Sequence, residues 1–100
     1  MNLPEIKTIV ADAYGITVDD IDGRDRKHKV ATARAVVYYY ARKFLGLKYV
    51  ETGKAFGRDH TSIHNGVKKI EGYREYDFET QAMLEGIEAA YPCLTGRKTA

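Results

Sequence analysis

Arg58, Asp59, His60, Thr61 and Ser62 stand in one unbroken run, and His64, Asn65 and Lys68 follow closely. Imidazoles, hydroxyls, a carboxylate, an amide and cations at this spacing suit three chemistries: metal ligation, nucleophilic catalysis, or hydrogen bonding to a polar surface. His60 and His64, four apart on one helical face, could ligate zinc only with a third and fourth partner. The only other histidine is His28, no Glu follows His60 as in H-E-x-x-H, and Cys93 is remote, so no metal and no cofactor are expected. Thr61 and Ser62 have an ordinary role in opening a helix, so no catalytic residue is assigned and the chain is not read as an enzyme. A helix with short donors and acceptors in its first turn and lysines further along is what a duplex major groove accepts.

The elements needed to present that run can be read from the surrounding residues. Asp59 is suited to cap a helix, and Gly57 before it supplies a turn. Ile63, Val67 and Ile70 recur at helical spacing and leave His60, Thr61, His64, Asn65 and Lys68 to face a partner. Tyr49–Phe56 reads as a short helix with Val50, Gly53 and Phe56 on one side. Gly53 inside it implies a close packing contact. A long helix from Val30 or Thr32, with Ala33, Val37, Tyr40, Ala41 and Phe44 as its stripe, precedes these two and completes a helix-turn-helix at about residues 32–72. The Tyr38-Tyr39-Tyr40 run is read as packing rather than base stacking, because consecutive helical residues point about 100° apart.

Upstream, Asn2 and Glu5 around Pro4 resemble a capping box for a first helix ended by Gly15. Thr17 and Asp20 suggest a second box for a short helix through Ile21. Residues 23–29 lack apolar periodicity and read as a basic loop containing Arg26 and Lys27, able to reach phosphates or a minor groove. After Gly72, Asp77 can cap a closing helix at about 77–91 with Phe78, Met83, Leu84, Ile87 and Tyr91 as apolar surface. Pro92 stops it, and residues 95–100 read as a tail. The expectation is an all-α, compact helical domain (TrpR-like) of about five to six helices, a single unit over residues 1–100.

Charge supports a polyanionic partner. Residues 1–23 hold one Lys against five Asp or Glu, residues 24–74 hold 13 Lys or Arg against four, and residues 75–100 hold two against five. The net charges are −4, +9 and −3, so a formal +2 conceals a basic centre between acidic flanks. No apolar run near 18 residues and no export signal is found, so no membrane partner is expected. The single Cys93 fits a reducing cytoplasm. Double-stranded DNA is the expected partner, with a nucleoid-associated cytoplasmic location.

These residues resemble the C-terminal DNA-binding domain of the bacterial chromosomal replication initiator DnaA. Phe56-Gly57-Arg58-Asp59-His60-Thr61-Ser62-Ile63 is similar to that family's F-G-G-R-D-H-T-T-V signature, and Lys68-Lys69-Ile70-Glu71 to the K-K-I-E that often follows. Val10 to Ile16 resembles the first helix. The resemblance implies that Arg58, Asp59, His60, Thr61 and Ser62 approach bases and phosphates in the major groove, that Arg26 enters the minor groove, and that Arg34 lies near the phosphate backbone of a DnaA-box-like site. Three departures stand out: one glycine of the signature pair is missing, Ala33 and Ala35 replace a usual proline and glutamine, and no G-x-x-x-x-G-K-[ST] loop is present, so no nucleotide partner is expected. A second reading keeps the fold as a transcription regulator or protein-interaction module, with the polar helix or the acidic last helix meeting a replication or regulatory protein.

Overall fold

The computed structural model describes residues 1–95; the expected tail beyond Thr95 lies outside them. The described residues form six α-helices and a closing 3₁₀ turn, with no strand: α1 (Leu3–Tyr14), α2 (Val18–Asp22), α3 (His28–Lys43), α4 (Tyr49–Phe56), α5 (His60–Tyr76), α6 (Phe78–Ala90) and Pro92–Thr95.

The helix boundaries follow from local chemistry. Asn2 Oδ1 accepts from the Glu5 N–H at 3.0 Å, half of the expected box, while Thr17 and Asp20 complete theirs with two 3.0 Å bonds. α3 starts at His28, earlier than the apolar pattern indicates, because nothing after the turn at Asp25–Lys27 breaks a helix and its first two residues, His28 and Lys29, are exposed polar groups outside the apolar stripe. α5 runs through Gly72 to Tyr76 instead of ending there. Gly72 is a helix-tolerated residue, and the last turn is held by Arg74, which donates to both Glu88 oxygens at 2.6 Å.

α3 is the hub, packing on α1, α2, α4 and α5 with residues 32–38 all buried. The main core joins Ile6, Val10, Ile21, Val36, Val37, Tyr40, Ile70, Leu84 and Ile87 from five helices. Each such side chain taken out of water contributes about 1.5–3 kcal/mol. A smaller core of Tyr38, Ile63 and Val67, with Phe56 edge-on to Tyr38 at 4.9 Å, holds α4 and α5 against α3. The tyrosine run is therefore packing: Tyr38 and Tyr40 are buried and Tyr39 is half-buried.

α6 closes the molecule through a buried polar latch. Tyr40 donates to Glu88 at 2.8 Å and Arg74 Nη1 donates to Tyr39 at 3.1 Å. Three expected apolar positions lie outside the core: Phe78 is 80% exposed, Tyr91 41% and Val50 51%. Thr80, Leu84 and Ile87 set the inward face of α6, which leaves Phe78 at the helix start pointing off it. On α4 the inward pair is Thr52 and Gly53.

Candidate nucleic-acid interface

α4 ends at Gly57, whose φ of +63° is the left-handed conformation that glycine adopts without penalty. Its N–H donates to Lys54 O at 3.3 Å, and the Arg58 N–H donates to Gly53 O at 2.8 Å. A Cβ at Gly53 would lie 2.5 Å from the Arg58 carbonyl oxygen, so the close contact implied by the sequence is the helix-turn-helix turn itself. Asp59 then opens α5: its Oδ1 accepts from the Thr61 N–H at 3.2 Å and lies 3.1 Å from His60 Nδ1.

The α5 stripe of Ile63, Val67 and Ile70 is fully buried. Opposite it, Thr61, Asn65 and Lys68 fall at i, i+4 and i+7 on one exposed face, flanked by exposed Ser62. His60 and Asp59 keep 63% and 66% of their side-chain surface in water. His64 borders the buried stripe and is half-buried, its ring edge-on to Tyr49 at 5.1 Å, so it stands beside the exposed face rather than at its centre. Lys68 reaches Glu71 at 3.3 Å, a carboxylate held below its usual range by the bond from Lys43, then by Lys68.

The basic loop is not a free tether. Arg34, expected near a phosphate backbone, is only 6% exposed. Its Nε donates to Ile21 O at 2.7 Å, Nη2 to Asp20 O at 2.9 Å and Nη1 to Asp25 O at 3.2 Å. A guanidinium has the planar fork and five donors this needs, and it sits at the negative end of α2. Burial, then neighbouring Arg58, pushes Arg34 below the usual arginine value. Arg34 is thus held inward, where it anchors the loop through three backbone carbonyls. Arg58 adds a second anchor, Nη2 donating to Gly23 O at 2.8 Å, while its buried Nε has no protein acceptor.

Arg26 and Lys27 remain exposed on the loop, where Asp25 Oδ1 accepts from the Lys27 N–H at 2.9 Å. The loop and the α5 start thus form one hydrogen-bonded surface with Arg26, Lys27, Asp59, His60, Thr61, Ser62, Asn65 and Lys68 outward. Lys54, which the sequence reading did not single out, joins the candidate residues by position. It is exposed on α4 and, with Val50, shares the groove at the turn with Arg58, Asp59 and His60. Its place one residue after the tightly packed Gly53 was the available signal.

The family described as the bacterial DnaA protein helix-turn-helix matches residues 3–70 of the chain. The chromosomal replication initiator protein DnaA of Mycoplasma capricolum is 39% identical over 72 residues, covering 71% of this chain and 16% of that protein. The corresponding protein of Oenococcus oeni is 32% identical over 88 residues, 87% of this chain and 20% of its own. That of Roseobacter denitrificans is 34% identical over 91 residues, 90% of this chain and 20% of its own. The chain therefore spans about a fifth or less of these relatives.

Proposed function

The chain belongs to the bacterial DnaA helix-turn-helix family, and from that premise we propose that it binds double-stranded DNA sequence-specifically, at a DnaA-box-like site, in replication initiation or its regulation. The observation that carries the reading is the Arg58–Gly23 bond. It ties Gly23, at the start of the loop bearing Arg26 and Lys27, to the turn that leads into α5.

In this reading α5 enters the major groove. The Thr61 methyl and His60 meet thymine methyls, Asn65 pairs with an adenine edge, and Asp59, which also caps the helix, accepts from a cytosine or adenine amino group. Ser62, Lys27, Lys54 and Lys68 meet phosphates, His64 lies at the edge of the contact, and Arg26 enters the adjacent minor groove. Arg58 contributes mainly by holding the loop.

The test separates base reading from charge. His60→Ala is expected to lower the ratio of affinities for box and scrambled duplexes by about 1–3 kcal/mol. Lys27→Ala is expected to weaken both duplexes alike and to reduce the salt slope by about one. Equal losses on both duplexes for His60→Ala would contradict the role given to α5.

A second reading, contact with a replication or regulatory protein, is favoured by one observation: Tyr76 and Phe78 are 86% and 80% exposed at the α5–α6 corner. It is supported by a nuclease-resistant complex that Tyr76→Ser and Phe78→Ser abolish and His60→Ala does not.

A further inference from the structure

A cavity of about 390 Å³ lies on another part of the molecule, where the C-terminal end of α1 meets the first turns of α3 and α6. Two of its lining residues are buried and carry hydroxyls without a hydrogen-bond partner: Tyr14, 9% exposed, and Thr32, 5% exposed. Buried polar groups are nearly always satisfied in folded proteins, so two orphans lining one cavity point to something that occupies it.

The walls differ in character. On one side, α3 begins with no side-chain cap, so no side-chain acceptor serves its first N–H groups, and His28 and Lys29 line the cavity there. Lys29 Nζ would lie 3.8 Å from a Cβ on Gly15, at the end of α1. On the other side stand Asp77 and Glu79. Asp77 uses Oδ2 to accept from the Thr80 N–H and hydroxyl, at 3.0 and 2.6 Å. Burial, then the Asp77 carboxylate, raises the Tyr14 phenol to about 12, so the hydroxyl stays protonated and able to donate.

A simple anion would meet Asp77 and Glu79, and a simple cation would meet Lys29 and the positive end of α3. A ligand bearing both charges satisfies both walls. We propose that this cavity binds a small zwitterion of the α-amino-acid class, its carboxylate received by Thr32 and the start of α3 with Lys29 behind, its ammonium by Asp77 and Glu79. The Tyr14 hydroxyl bridges the two, and Met83 with the Tyr14 ring supplies apolar contact for a ligand side chain. The volume lies at the lower end of the range for small-molecule sites. The site rests on none of the residues assigned to DNA.

The experiment is an amide NMR titration of the full chain with glycine, L-leucine and L-phenylalanine in the millimolar range. Phenethylamine and 3-phenylpropionate serve as single-charge controls. The expected result is saturable shifts clustered at Tyr14, at 28–32 and at 77–80 with at least one amino acid, lost with both controls. Thr32→Val and Tyr14→Phe each remove a hydroxyl that has no partner in the free protein, so melting temperature stays level or rises while affinity falls about five-fold. Absence of shifts with all three amino acids, equal shifts with either control, or undiminished affinity in both variants overturns the proposal.

Discussion

Arg34 and Arg58 carry the same guanidinium, yet the fold gives both an inward task. Arg34 serves three carbonyls around α2 and Arg58 one on the loop that follows. A lysine retains the charge at Arg34 but cannot reach three oxygens in a plane. Arg34→Lys is expected to lower unfolding stability by about 2 kcal/mol in a denaturant titration. A contact made only to phosphate would leave stability at the wild-type level. This role was illegible in the sequence, because an arginine in a basic stretch reads as surface charge and only the third dimension brings the carbonyls of Asp20, Ile21 and Asp25 around it. The half-buried place of His64 was illegible for a related reason: it sits one step from the Ile63 and Val67 stripe, and the Tyr49 ring from α4 lies edge-on to its own. Asp59, His60 and Thr61 were legible, since an acidic residue after a glycine turn and before an apolar period reports its own local geometry.

The helices were largely legible because their caps and periods are local. The extent of α5 was not, since Gly72 reads as a stop until the Arg74–Glu88 bonds across to α6 are known. Burial raises the Glu88 carboxyl, but the bonds from Arg74 and Tyr40 outweigh it and leave it below its ordinary 4.5. A carboxylate whose value is depressed by folding stabilises the protein above the unfolded value, and that contribution is lost as pH falls through the folded one. Stability of the wild type is therefore expected to fall more steeply below about pH 4.5 than that of Glu88→Gln, measured by denaturant unfolding across pH. Glu88→Ala is expected to cost about 2–3 kcal/mol at neutral pH, less than a fully buried pair because Arg74 keeps 37% of its side-chain surface exposed. Between α4 and α5, Gly53→Ala places a Cβ against a backbone oxygen that cannot rotate away. Its expected cost is about 1–3 kcal/mol in thermal or chemical unfolding, with weakened duplex binding as the turn re-aims α5.

Across the whole molecule, the segregated charge acquires a physical meaning. The basic middle of the chain supplies the loop, the helix-turn-helix and the hub beneath them, while the acidic flanks supply much of α1, α2 and α6. α6, latched by Arg74 and Glu88, lies beyond the residues matched by the family, which end inside α5. A single module of this kind buries about 600–1,000 Å² on DNA, so contacts from the loop and α5 must act together to give discrimination. The central claim is therefore tested by titrating the chain with a box-carrying duplex and its scrambled counterpart at several salt concentrations. The account predicts tighter binding to the box at every salt concentration, by about 10³-fold or more, with both affinities falling as salt rises. Equal affinities for the two duplexes at every salt concentration would contradict it.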